Sequence, residues 1–486
     1  MFRKSNLRWA TLGVLLLTVA PGCDVLTQDP PTALADTDAF ATPDRIAKSA
    51  YGMYDQLQNL DFLGGRALIY SDIRSDDTNP AGYFGNASTF NMQANDGTAL
   101  LAWTGGYRTL YGANYFLQQI AKYPGVTTPA LETQYIGEAK FIRALVYFHL
   151  VNLFAQPYNF TTDASHLGVP IQLIAPDVSS AFSPSQNLAR SSVKDVYAQI
   201  EKDLNDAITA LPETYTSSNF DRTARATKDA ARTLLSRVYL YKGQYNDAAT
   251  MAGTVITGGR HVLNASPATP FPILGAFPTG AQTTESIFSV AMNTADNPNT
   301  NNALGQHYGN AAGRRSDISV TPYARIDSTQ FRSKDRRRTL LLTPSAYPTT
   351  TTVLVYTLKY PLGTYDYVPI ARYSEVLLNR AEGLAQTATG VSADALTLLN
   401  QVRRRSLPTI AAYPDLLAAN LTKQSLIDAI LFERRLELAF EGHRYYDLLR
   451  YKMNSSRVNY GDQKEVFPIP SLDIQQNPNL VQNPGY

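Results

Sequence analysis

The stretch DAARTLLSRVYLYKGQYNDAATMAGTVI (229–256) decides the class of fold. Small and large apolar residues recur at helical spacing on its first half, and Lys242-Gly243-Gln244 makes a tight polar turn. An Ala-rich second helix follows from Tyr245 to Ile256. A later stretch, SEVLLNRAEGLAQTATGVSADALTLLNQVR (374–403), has the same plan. Each hairpin leaves an apolar stripe that it cannot bury alone, so such units stack. Leu235, Tyr239, Gly243, Tyr245 and Ala248 stand at offsets seen in the first half of a tetratricopeptide repeat. An ordinary αα-hairpin without repeat ancestry fits the spacing equally well.

Further helical patterns lie on both sides. Asp38–Leu60 puts Ile46, Ala50, Met53 and Leu57 on one face, and Leu100–Tyr123 and Leu131–Phe154 are long and apolar. Val193–Leu211 starts behind Ser191 or Ser192 as cap and stops at Pro212. Helical spacing returns at Arg372–Gln386, Ala393–Arg405 and Lys423–Tyr451. Between these lie two irregular regions. Residues 71–98 break all periodicity with Asp, Asn, Gly and Pro, and 258–368 carry only short β-type runs at Ser286–Ala291 and Thr352–Lys359. The terminal stretch 466–486 is rich in Pro and Asn and reads as non-helical. Structureless loops of this length inside a compact protein are more often functional than filler.

The start of the chain carries a separate message. Arg3, Lys4 and Arg8 precede an apolar run from Trp9 to Ala20, then Gly22 and the chain's single cysteine, Cys23. The run is shorter than the roughly 20 residues a membrane-spanning helix needs, and it fits a secretory signal peptide over residues 1–22. Cys23 then becomes a lipidated N-terminus, and 24–37 (DVLTQDPPTALADT) forms an extended spacer. With 43 basic and 41 acidic residues, and three of the basic ones in the signal, the remaining chain is close to neutral. That balance gives no electrostatic footprint for nucleic acid. A single cysteine also excludes disulfides and thiolate metal sites.

The charged run ERRLELAFEGHRYYDLLRY (433–451) holds every acid and base a hydrolase would use. Its spacing favours structure, because Glu433, Glu437 and Glu441 follow at intervals of four and Arg444 stands three residues from both Glu441 and Asp447, so charges can pair along one helix face. His443 belongs to no HExxH pattern, and none of the other four histidines lies at metal-ligand spacing from it. Asp72, Asp76, Asp77 and Asn79 cluster and could hold a structural calcium, although an Asp-rich turn explains them as well. No P-loop, GxSxG or post-strand GxGxxG motif is present. No cofactor is expected.

Several blocks in order resemble the SusD/RagB family of outer-membrane nutrient-binding lipoproteins. They are GCDVL; Trp103-x3-Tyr107 with Gly112-Ala113-Asn114; GEAKFIRALVYFHLVNLFAQP (137–157); RYSEVLLNRAEGLAQ (372–386); ERRLELAFEGHRYYDLLRY; and FPIPSLDIQQNPNLVQNPGY (467–486). The resemblance implies a mainly α fold, a tetratricopeptide-like α-α superhelical scaffold with long irregular loop insertions. One such domain would span 38–486, with scaffold at 100–257 and 372–451, a loop-rich insertion at 258–368 and an extended segment at 452–486. It also implies a lipid anchor in the outer membrane facing the cell exterior, and a SusC-like TonB-dependent transporter as partner. The implied ligand is an oligosaccharide or, in some lineages, a peptide, bound without catalysis. The alternative is a tetratricopeptide-type scaffold that holds other proteins.

Sugar rings offer flat apolar C–H faces beside hydroxyls, so their binders combine aromatic rings with Asn, Asp, Arg or Gln. The first irregular loop supplies Arg74, Asp76, Asn79, Tyr83, Phe84 and Phe90. The second, 293–325, supplies His307, Tyr308, Asn310 and Tyr323. These ten are the candidate ligand-binding residues. Trp103 falls in a scaffold motif and is expected in the core.

Overall fold

The computed structural model describes residues 36–177, 183–271, 282–345, 353–407 and 414–486. The signal peptide, Cys23 and nearly all of the spacer expected from the sequence lie outside the described residues. Within them the helices follow the sequence pattern. Side chains of Thr42, Asp96, Thr128, Ser192, Thr227, Ser392 and Thr422 each accept a backbone N–H and start the helices Pro43–Leu57, Gly97–Ile120, Pro129–Phe154, Val193–Ala210, Lys228–Lys242, Ala393–Arg405 and Lys423–Glu437. Such caps satisfy donors that the first turn leaves orphaned. Gly243 ends Lys228–Lys242 with φ +72°, which lets the chain reverse at once into Tyr245–Thr257.

The helices stack in sequence as hairpins. Pro129–Phe154 lies between Gly97–Ile120 and Val193–Ala210, and every residue from Phe141 to Phe154 is buried. A helix enclosed on all sides loses its polar face, which explains why only Arg143, His149 and Asn152 interrupt the apolar run FIRALVYFHLVNLF (141–154). Next, Lys228–Lys242 pairs with Tyr245–Thr257, which packs on Tyr373–Thr387, itself paired with Ala393–Arg405 and Lys423–Glu437. The two hairpins recognised in the sequence are therefore in direct contact. Gly383 permits the close crossing, since a Cβ there would stand 2.5 Å from the Tyr245 carbonyl oxygen and 2.9 Å from the Ala249 side chain. One core runs from Phe40 to Leu480.

The described sheet structure is slight. Ser286–Val290 pairs antiparallel with Val368–Arg372, Asn79–Pro80 with Ile318–Ser319, and Leu342–Pro344 with Val355–Thr357. The mainly α class with irregular insertions is what the structure has.

Two expectations are corrected. The terminal stretch contains a short helix, Ser471–Gln476, because SLDIQQ has no proline after Pro470 and so can form a turn of helix. The run Lys423–Tyr451 is two helices, Lys423–Glu437 and Arg444–Arg450, separated by a turn in which Phe440 (φ +66°) and Gly442 (φ +77°) are left-handed. Side chains from the loop-rich insertion cap the carbonyls freed by the break. Tyr323 donates to Leu436 O at 2.8 Å, Lys359 to Glu437 O and Ala439 O, and Tyr360 to Phe440 O at 2.6 Å.

The charges of this run pair mostly across the fold rather than along the helix. Glu437 binds Arg372 (2.5 Å), Arg405 and Arg337; Glu433 binds Arg337 (2.6 Å); Glu441 binds Lys359 (2.6 Å) and Arg372 (2.7 Å). Glu285 joins through Arg372 and Arg405. Two further knots involve Arg434, Asp447, Arg450 and Glu382, and Arg237 with Glu375. All these side chains are buried. Within-run pairing survives in Arg434–Asp447 and Arg450–Asp447. Burial alone would raise the Glu437 carboxyl, yet Arg405, Arg372 and Arg337 together hold it well below the ordinary carboxylate range. Burial is likewise outweighed at Glu441 by Arg372 and Lys359, and at Asp447 by Arg434 and Arg450.

A carboxyl lowered in the folded state stabilises the fold above its unfolded value and loses that contribution as pH falls toward the folded one. Thermal melts should therefore show stability falling steeply below about pH 4. Glu437→Gln, which leaves three buried guanidinium groups short of a charge, should cost about 3–5 kcal/mol in urea denaturation at pH 7 and flatten the acid side of the melt profile.

Candidate functional site

The first irregular loop begins as structure and ends as surface. Arg66–Asp72 is a short, fully buried helix. The Asp72 carboxylate accepts from the Tyr308 hydroxyl (2.8 Å) and from the Gly442 N–H (3.1 Å). Burial raises this carboxyl to about 8, against both hydrogen bonds, which lower it. Arg74 is also buried, with its guanidinium 4.4 Å from the Tyr445 ring centroid, 5.1 Å from that of Phe467 and 5.4 Å from that of Phe90. Asp76 is bound by Arg444 (3.0 Å) and Asp77 by Arg435 (2.8 Å). The aspartates of the acidic cluster are thus committed to protein partners.

From Asn79 onward the loop meets the second one. Asn79 and Pro80 pair with Ser319 and Ile318, and the Ala81 N–H donates to Asp317 O at 2.6 Å. Tyr83 then sits against His307 (ring centroids 5.3 Å) and Phe84 (5.1 Å), with the Arg315 guanidinium 3.9 Å from its centroid. Arg66 donates to the Tyr83 hydroxyl (2.7 Å) and to the Asn302 side chain (2.9 Å), so it ties the two loops from beneath. His307 bonds through Nδ1 to Asp317 and through Nε2 to Asn301 O, both at 2.9 Å. Burial lowers its value, against the contacts with Asp317 and Asn301 O, which raise it. The ring of Tyr83 is 42% exposed, beside exposed Asn79 and Asn301 and half-buried Arg315.

The candidate residues therefore divide. Asn79, Tyr83, Phe84 and His307 come together at this junction, with Tyr83 and Asn79 reaching solvent. Tyr308 and Tyr323 are buried, and their hydroxyls are spent on Asp72 and Leu436 O. Phe90 packs against Arg74 and Tyr445. Asn310 donates to Pro344 O at 2.8 Å, toward the Leu342–Pro344 strand. Arg66 was not singled out in the sequence. The glycine pair before it was the available signal, since Gly65 (φ +141°) passes Asn302 O so closely that a Cβ would stand 2.9 Å away.

A large cleft lies elsewhere, along the outer face of Gly97–Ile120, with a volume of about 520 Å³. Trp103 is 4% exposed, as expected for a core residue, and closes the floor of this cleft.

Scaffold and junction together define a class: a stack of helical hairpins presenting an irregular aromatic–amide face to solvent. Comparison with known proteins agrees. Residues 26–240 match a family described as starch-binding and associating with the outer membrane, and residues 359–486 match the SusD family. The SusD-like protein P2 of Formosa agariphila is 26% identical, with 98% of this chain and 99% of that protein covered. The starch-binding protein SusD of Bacteroides thetaiotaomicron is 30% identical over 24% of this chain and 21% of its own length. A SusD superfamily crystal structure from Bacteroides fragilis superposes with TM-score 0.77 at 28% identity, covering 91% of this chain and all of that one. The chain belongs to the SusD/RagB family.

The division of the tyrosines is measurable. Tyr308→Phe deprives the buried Asp72 carboxyl of a donor and should cost about 1–3 kcal/mol in urea denaturation.

Proposed function

We propose that this chain is a lipid-anchored, cell-surface binding protein that captures an oligosaccharide and hands it to a SusC-like TonB-dependent transporter. The ligand is taken at the junction of the two irregular loops. Tyr83 is the observation that carries this reading. Its ring is half-exposed, yet Arg66, Arg315, Phe84 and His307 hold it in place from several sides. A ring fixed before the ligand arrives loses little conformational entropy on binding, and it offers the flat surface that a sugar's C–H face stacks against. Asn79, Asn301 and Arg315 around it supply hydrogen-bond donors and acceptors for hydroxyls.

The family description, starch-binding and outer-membrane-associated, supports the ligand class and the location. No helix among the described residues is long and apolar enough to cross a membrane, so the anchor in this reading is the lipid on Cys23. Binding without catalysis is the role proposed. The His307–Asp317 pair is committed to Asn301 O and Arg315, holding the loop rather than facing a substrate.

Isothermal titration with maltohexaose, laminarihexaose and a set of unrelated hexapeptides tests this. At least one saccharide should bind, and Tyr83→Ala should weaken it about tenfold, as expected for the loss of one aromatic contact. Unchanged affinity in Tyr83→Ala would remove the junction as the site, and binding of peptides alone would overturn the ligand class.

A further inference from the structure

The cleft along Gly97–Ile120 is built from residues with no part in the loop junction. On the helix, Thr104, Arg108, Tyr111 and Tyr115 follow one another at intervals of three or four residues and so share one face. Tyr111 and Tyr115 stack nearly parallel, with centroids 6.0 Å apart and planes 16° from each other, and Tyr111 is 43% exposed. Trp103 forms the floor. It is wedged edge-on against Phe154 (4.9 Å) and tilted against Tyr107 (4.7 Å), and its Nε1 donates to Asp473 at 3.2 Å. Asp473 belongs to the short terminal helix, which makes the opposite wall with Gln476.

The polar groups of this cleft stand out against the rest of the chain. Most arginines here are ion-paired or bonded to carbonyls, whereas among the described residues Arg108 has no hydrogen bond or ion pair, and neither do the side chains of Thr104 and Gln476. Among the described lining residues, the cation Arg108 on one wall faces the carboxyl of Asp473 on the other, so their charges balance. Its volume, about 520 Å³, falls in the range of small-molecule sites. Its lining residues belong to helices and loops and to no strand, so the cleft does not offer the backbone ladder an extended peptide would use. Aromatic floor, ring platform, amide, hydroxyl and balanced charge match an uncharged polyhydroxylated ligand.

Arg108 also borders a shallower hollow of about 220 Å³. There Asp55 and Asn59 lie opposite Asp296 and Asn297, where the second loop begins. A ligand longer than the cleft can therefore continue across the helix toward that loop.

We propose that this cleft is a second saccharide subsite that takes a segment of a neutral oligosaccharide. One sugar ring lies on Tyr111, and its hydroxyls are met by Arg108, Asp473 and Gln476. The choice of a saccharide rests on the carbohydrate-binding reading above, while the location of the subsite does not depend on Tyr83.

Trp103 gives the cleft its own signal. In the chain from Asp24 onward it is the sole tryptophan. Titration with maltohexaose and laminarihexaose should produce a saturable change in its emission with at least one of them. Tyr111→Ala and Arg108→Ala, both at exposed positions, should each weaken that response about tenfold. Calorimetric binding lost in Tyr83→Ala, with Trp103 emission silent throughout, would overturn the subsite and leave the loop junction standing. A Trp103 response abolished by Tyr111→Ala, with calorimetry indifferent to Tyr83, would sustain the subsite and remove the junction. No saccharide bound by either readout would overturn both.

Discussion

The fold depends on the charge knot around Glu437. This carboxylate stands at the end of Lys423–Glu437 and receives Arg372 from a strand, Arg405 from a helical hairpin and Arg337 from the loop-rich insertion. Three parts of the chain that share no sequence neighbourhood therefore meet on one residue. Such a knot adds little net stability over a well-packed apolar core, but its loss is expensive because the remaining charges are left buried. Its effect is to select one arrangement. The insertion between the two scaffold halves can dock only where its arginine and lysine find Glu433, Glu437 and Glu441.

From that docking the surface follows. The break after Glu437 exposes carbonyls, and Tyr323, Lys359 and Tyr360 of the insertion cap them. Gly442, just beyond, donates to Asp72, which also holds Tyr308. These contacts fix the inner edge of both irregular loops, so their outer edges, with Tyr83 at the centre, are presented on a rigid base. A long loop usually carries high conformational freedom. Here the polar interior removes much of it before any ligand arrives.

Much of this was legible in the sequence, and the limits have physical causes. The cap at Ser192 and the turn at Gly243 announced the helices, because these signals act within a few residues. The charged run was read correctly as structural but with its pairs assigned along one helix. Distance along the chain hides Arg337, Arg372 and Arg405 from any local reading, and the reversal at Phe440 requires a left-handed non-glycine residue that no propensity favours. The helix Ser471–Gln476 escaped notice because the prolines around it dominate the composition. In the loops, aromatic and amide residues were visible, but not which rings face outward. Tyr308 and Tyr323 differ from Tyr83 only in their buried partners, Asp72 and Leu436, and those are set by tertiary contact. The Trp103–Asp473 bond, which joins residues 370 apart in the chain, was out of reach for the same reason.

The central claim is that the junction of the two irregular loops is a preformed saccharide face on a scaffold that does not rearrange. Hydrogen–deuterium exchange with and without saturating maltohexaose or laminarihexaose tests it most directly. The account predicts added protection in 79–90 and 299–317, with the exchange of Lys228–Thr257 and Lys423–Arg450 unchanged. Protection spread over those hairpins, with the two loops exchanging as before, would contradict it.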